Sequence, residues 1–173
     1  MIIEIKADIE GSILDVGGGG EGVIGQIYGE KVLAIDHLQE ELDEAPDCCE
    51  KQLMDATDLS FANHSFDNAT FFYTLMYMTR KTQEKAIREA ARVLKPGGKI
   101  YIWDADIQSA YPDPYVVDLV ILSEQKTIRT SYGIVKNETQ NCDSVIQFLE
   151  SNGLKVEYTH KKEGQFFIIC QKV

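Results

Sequence analysis

Residues 13–29 read ILDVGGGGEGVIGQIYG. An apolar run carries Asp15, four glycines follow at 17–20, and Gly22 stands one residue beyond Glu21. Glycine loses more conformational freedom on ordering than any other residue, so five of them within positions 17–22 imply that something approaches this backbone closely. The apolar run before them reads as a strand, and Val23 onward reads as a short helix, so the glycines form a strand-to-helix turn. Laid over the run, Gly17-x-Gly19-x-x-Gly22 satisfies the dinucleotide pattern, whose ligand is a pyrophosphate at the helix start. A run of glycines satisfies many spacings by chance, and the acid at Asp36 comes sooner than that pattern's ribose acid.

Asp15 and Glu21 flank the glycines with negative charge. Such a loop disfavours an anion and favours a ligand carrying positive charge. S-adenosylmethionine has an ammonium and a sulfonium and no phosphate.

Outward from this turn, apolar runs alternate with helical periodicity. Strands are expected at 12–16, 31–35, 52–54, 68–73 and 99–103, with short helices at 23–28 and 39–44. The clearest helix is 82–94, where Ile87, Ala90, Ala91 and Leu94 recur three and four apart on one face. Lys95-Pro96-Gly97-Gly98 stops it. Another helix at 143–151 ends at Asn152-Gly153, and 155–159 with 165–171 form a closing hairpin. This order predicts an α/β fold with a doubly wound, Rossmann-like sheet of seven strands, mostly parallel, with one antiparallel strand in the C-terminal hairpin. Residues 105–140 are too long for a plain connection and carry β-like runs at 116–122 and 127–135. They read as an insertion near the carboxyl ends of the strands, within one domain spanning 1–173.

Composition narrows the function classes. At 173 residues, 44% hydrophobic and 26% charged, the chain can bury a real core. No apolar run approaches the ~20 residues of a membrane span. The first ten residues, MIIEIKADIE, carry acids where a signal peptide carries lysines, so a cytoplasmic location is expected. The net charge of -11, with scattered bases, disfavours nucleic acid and anionic membrane surfaces as partners. Cys48 and Cys49 lack the spacing of a zinc knuckle, and Cys142 and Cys170 stand alone, so reduced thiols and no metal are expected.

Four stretches together carry a family resemblance: ILDVGGG, AID ending at Asp36, LMDATDLSFANHSFDNATF, and RVLKPGGKIYIWD. In this order and spacing, over about 13–104, the chain resembles class I S-adenosylmethionine-dependent methyltransferases of the small single-domain type, similar to quinone-biosynthesis methyltransferases. The resemblance implies S-adenosyl-L-methionine as cofactor. Gly17 and Gly19 would let the loop pass close to its methionine part, and Asp15 would hold the loop and favour the ammonium. Asp36 would accept from both ribose hydroxyls, with His37 packing against the adenine. Asp55 would accept from the adenine amino group, the Ala56 backbone would serve the ring nitrogen, and Phe72 or Tyr73 would offer a carbonyl to the ammonium. One departure stands out: the family's third glycine falls on Glu21, so either the turn is re-cut by one residue or Glu21 begins the helix.

The expected reaction is methyl transfer to a small-molecule acceptor by in-line displacement, in which the protein mainly positions the nucleophile. No His or Lys stands where a general base is expected, so the catalytic residues stay open. Tyr77 and Asp104 are candidates to line a substrate pocket, although aromatic and Met stripes in that region also suit a core. With about eleven residues before the first strand, the site should be open, to be covered by the 105–140 insertion, a second copy in a homodimer or a partner subunit. Two other readings share the sheet class: a module that binds the cofactor without catalysis, and an NAD-binding oxidoreductase.

Overall fold

The computed structural model describes residues 1–5, 8–108 and 111–173. At its centre lies β2 (Ile13–Val16), four consecutive residues that are all buried. A strand buried on both faces belongs in the interior of a parallel sheet. Around it lie β3 (Val32–Asp36), β4 (Glu50–Leu53), β5 (Phe66–Phe72), β6 (Leu94–Ala105), β9 (Leu154–Lys162) and β10 (Gln165–Lys172). They form a seven-stranded sheet in the order β4-β3-β2-β5-β6-β10-β9. β10 runs antiparallel to both its neighbours, and the pairings among β4, β3, β2, β5 and β6 are parallel. This is the expected Rossmann-like α/β sheet with its antiparallel C-terminal hairpin.

Helix α3 (Arg80–Val93) and helix α4 (Cys142–Ser151) cover one face. Their apolar stripes, Ala86, Ile87 and Ala90 on α3 and Val145 and Leu149 on α4, bury against Leu14, Phe71, Ile100 and Ile168. Each starts on a side-chain cap: Thr79 accepts from the Thr82 N–H, and Asn141 accepts from Ser144 in a reciprocal capping box. Helix α3 thus begins two residues earlier than its periodicity suggests. β6 takes in the Lys95–Gly98 stretch as well, with a register shift against β5 between Phe66 and Asn68.

Arg92, near the end of α3, ties down the loop that follows β4. It donates to the Leu59 carbonyl at 2.7 Å, the Phe61 carbonyl at 2.8 Å and Asn63 Oδ1 at 2.9 Å, and pairs with Glu89 at 2.7 Å. Arg92→Ala leaves those carbonyls without their partner and is expected to cost about 2 kcal/mol, read as a lower urea midpoint with unchanged slope.

The other face carries the short helix α1 (Val23–Tyr28) and a second, three-stranded sheet, in the order β1 (Ile2–Glu4), β7 (Tyr115–Leu122), β8 (Thr127–Ile134). Strands β7 and β8 are the two β-like runs of the 105–140 stretch, paired antiparallel. The third, β1, pairs parallel with β7, Ile2 opposite Val120. Nothing in three residues of apolar-acid sequence announces a strand, because the pairing partner lies far along the chain. Val117, Leu119 and Ile121 of β7 pack with Phe72, Tyr101 and Trp103 of the main sheet.

Candidate functional site

The strand order reverses direction at β2. From there the chain winds outward through β3 and β4, then returns to the other side with β5 and β6. The crevice at such a switch point, above the carboxyl ends of the strands, is where open α/β sheets take ligands. The glycine turn, Asp36 and the Phe72-Tyr73 strand end all stand on this rim.

The turn itself is re-cut. Gly17, Gly20 and Gly22 adopt φ of +73°, +57° and +54°, and Gly22 is the residue preceding α1, so Glu21 lies in the turn rather than in the helix. The close approaches to its backbone come partly from the protein. A Cβ on Gly17 would overlap the Thr74 side chain, with Oγ1 at 2.5 Å. At Gly19 it would meet Glu41 Cβ at 2.6 Å and Asp36 Oδ2 at 2.9 Å. Helix α2 (Gln39–Glu44) therefore packs directly on the loop, and the Glu41 carbonyl accepts from Gly20 N–H at 2.8 Å. Neither Glu41 nor Thr74 carries a spacing signal in the sequence.

Asp15 is 2% exposed on β2, and Thr70 Oγ1 on the adjacent strand donates to it at 2.7 Å. Burial pushes its carboxyl up to about 7, with the Asp36 charge adding to the shift. Glu41 is also raised, by partial burial and then by the carboxylates of Asp36, Glu44, Glu21 and Glu40. The loop is thus an acidic site with no cation of its own among these contacts. Asp36 Oδ1 accepts from Leu38 N–H at 3.0 Å and faces His37 Nδ1 at 3.3 Å. Among the described residues no hydrogen bond occupies its Oδ2. His37 is largely exposed beside it.

Asp55 follows β4 on the same rim, exposed, with Oδ1 accepting from Thr57 N–H at 2.8 Å. That bond is the main cause holding its carboxyl below the usual range. It shapes the turn that presents the half-buried Ala56.

At the end of β5, Phe72 and Tyr73 are both buried. The Phe72 carbonyl accepts from Thr74 Oγ1 at 3.3 Å. Tyr73 has φ +51°, a left-handed backbone that strains a bulky residue and gathers at functional sites. It is held there on three sides. Its N–H donates to the Trp103 carbonyl at 2.8 Å, its hydroxyl to Gln165 at 2.7 Å, and its ring stacks on Tyr132 of β8 at 5.2 Å. Tyr132 is a further rim residue that the sequence did not mark; burial is the main cause raising its phenol, with Glu21 next.

Tyr77 is half exposed, and its hydroxyl accepts from Gly133 N–H at 3.3 Å. Asp104 is placed differently from the pocket-lining position expected of it. It is fully buried and accepts from Ala105 N–H at 2.8 Å, Gln140 Nε2 at 2.7 Å and Met76 N–H at 3.3 Å. Burial raises its carboxyl to about 6 against these bonds. Beyond β8, Lys136 donates to the carbonyls of Met76 and Met78 at 3.1 and 2.7 Å, which ties the segment after β8 to the rim beyond β5. The segment at 136–140 is thereby anchored over the carboxyl ends of β5 and β6. Among the described residues no His, Cys, Asp and Glu cluster could hold a metal ion, and no helix is long and apolar enough to cross a membrane.

The sequence profile of the methyltransferase-domain family matches residues 14–102, which include the glycine turn, Asp36, Asp55 and strand β5. No curated protein matches the chain. Solved structures similar in fold include an S-adenosylmethionine-dependent methyltransferase from Methanosarcina mazei. It is 19% identical with a TM-score of 0.65, over 94% of this chain and 92% of that one. An S-adenosylmethionine-bound amino pentose methyltransferase from Micromonospora echinaspora is 13% identical, with a TM-score of 0.66 over 94% and 84% of the two chains. A [4+2]-cyclase is 17% identical, with a TM-score of 0.67 over 95% and 76%. The fold is shared across these proteins while the named reactions differ.

Proposed function

The chain belongs to the methyltransferase-domain family, and from that premise we propose that it binds S-adenosyl-L-methionine at the switch point and transfers the methyl group to a small-molecule acceptor. The observation that carries this reading is Asp36: a carboxylate at the end of β3, with Oδ2 beside the Gly19 backbone and without a hydrogen bond among the described residues. Such an oxygen suits a ribose hydroxyl. The surrounding acids, Asp15, Glu21 and Glu41, suit a cationic tail and repel a pyrophosphate, which counts against NAD.

Bound there, S-adenosylmethionine supplies an electrophilic methyl on a sulfonium. The chain's own residues bind and orient. Asp36 holds the ribose, the Asp55-Ala56 turn and His37 border the adenine, and the Phe72 carbonyl with Asp15 offers negative charge to the ammonium. Tyr77 lines the acceptor's side of the rim. Asp104, buried and saturated with hydrogen bonds, positions Met76 and Gln140 rather than touching an acceptor. The whole chain works as one unit, with β7, β8 and the segment after them serving as cover. The second reading, a module that binds the cofactor without transfer, shares all of these contacts and differs from the first only in the product formed.

Asp36→Ala should weaken S-adenosylhomocysteine 10- to 100-fold by calorimetry, the scale of one or two charged hydrogen bonds at about 1.5–3 kcal/mol. Unchanged affinity, or wild-type protein that takes NAD instead, overturns the assignment. Tight cofactor binding without methylated product across a broad acceptor panel favours the second reading.

A further inference from the structure

We propose that the cavity between β1 and the β9–β10 hairpin is a second binding site, built for a planar aromatic molecule that carries an anionic group. The cavity encloses about 490 Å³, well within the range of small-ligand pockets. Its floor is aromatic. Trp103 and Phe167 stack with ring centroids 4.6 Å apart and planes 19° from parallel, and Tyr158 stands tilted against Phe167 at 5.9 Å. The register makes this platform: Phe167 of β10 lies opposite Trp103 of β6 on one side and His160 of β9 on the other, so all three project from the same face. That face is only partly covered. Trp103 is 4% exposed, whereas Tyr158 is 49% exposed, so the floor opens toward the hairpin edge. A flat ring laid on it gains offset-stacking contact as well as apolar burial.

Ile3 and Ile5 wall the opposite side, and Tyr73 closes the inner end. The rim is charged on both sides. His160 and Lys162 alternate with Tyr158 along β9 and so stand over the platform, while Lys161 points to the other face and pairs with Asp143 at 2.6 Å. Among the described residues Glu4 is the one acid in the lining, and with His neutral its charge balances that of Lys162. What favours an anionic group is position: Lys162 and the His160 ring, a hydrogen-bond donor, both stand over the platform on the β9 side, whereas Glu4 lies on the β1 side. No residue of the glycine turn lines this cavity; Tyr73 borders both places, with its backbone on the cofactor rim and its ring, stacked on Tyr132, forming the cavity's inner wall. The two sites are therefore neighbours divided by the Tyr73 ring.

The test is calorimetric titration of the full chain with 2-naphthoate and with its neutral analogue 2-naphthylmethanol, read in parallel by the emission of Trp103, the only tryptophan. Expected is saturable one-to-one binding of naphthoate with quenching of Trp103, unaffected by saturating S-adenosylhomocysteine. Affinity should fall about five-fold for the alcohol and for naphthoate with Lys162→Glu, the scale of one partly exposed charge pair. Lys162 is exposed on the hairpin, so this variant folds. No saturable signal up to millimolar naphthoate overturns the site. Equal affinity for acid and alcohol overturns the anion class, and competition by S-adenosylhomocysteine overturns the separation.

Discussion

Gly17→Ala is expected to destabilise the chain by roughly 2–4 kcal/mol and to abolish cofactor binding at accessible concentrations. Two causes add. The backbone at Gly17 is left-handed, at φ +73°, which costs a residue with a Cβ about 1–2 kcal/mol. The new methyl would also land on Thr74, whose Oγ1 lies 2.5 Å from its position. Relief requires Thr74 to move, and with it the adjoining end of β5, where Phe72 and the strained Tyr73 sit. Gly153→Ala separates the causes: its φ is +75° and nothing lies within 4 Å of the added carbon. It should lose only the backbone contribution of about 1–2 kcal/mol. Urea unfolding of both variants measures the difference, and equal losses would remove the Thr74 contact from the account.

The second large effect concerns Asp15. Its folded value of about 7 lies above the 3.8 of a solvated aspartate, the value expected when unfolded. The native chain therefore holds a proton that the unfolded chain releases between these two pH values, and stability falls as pH rises through the window. The full loss above pH 7 is on the order of 4 kcal/mol, from about 1.4 kcal/mol per pH unit. Asp15→Asn cannot ionise, so its stability relative to the native protein should climb steadily from pH 4 to pH 7 and level off above. A pH-independent difference in unfolding midpoints would refute the buried-carboxylate account. Binding gives the matching signature. A cationic tail favours the ionised carboxyl, so S-adenosylmethionine affinity should rise toward pH 7 and above in the native protein and stay flat in Asp15→Asn. Calorimetry in two buffers of different ionisation enthalpy reads the proton released.

Much of this architecture was legible because its signals are local. The buried ILDV strand, the α3 stripe of Ile87, Ala90 and Ala91, and the Pro-Gly-Gly stop each follow from a few adjacent residues. The placement of Asp36 and Asp55 at strand ends was legible for a similar reason: each follows an apolar run. What stayed hidden depends on partners far along the chain. β1 exists because Ile2 meets Val120, and Tyr132 reaches the rim because β8 is carried across the sheet by the β7 pairing. Thr74 and Glu41 matter through the space that two glycines leave, and no periodicity reports space. The burial of Asp104 is hidden for the same reason: a strand end suggests an open rim, and Gln140, in a distant segment, closes over it.

The parallel pairing of Ile2–Glu4 with β7 also has a meaning for the order of assembly. Joining the first residues to a hairpin some two-thirds of the way along the chain closes a long loop, whose entropy few local contacts can offset. β7 and β8 close through a short turn at 123–126 and carry no such cost, so the long-range entropy falls on β1 alone. Release of β1 is then expected to leave the glycine turn and the β7–β8 hairpin in place. The small sheet thus has one strand that can come and go while the other two stay.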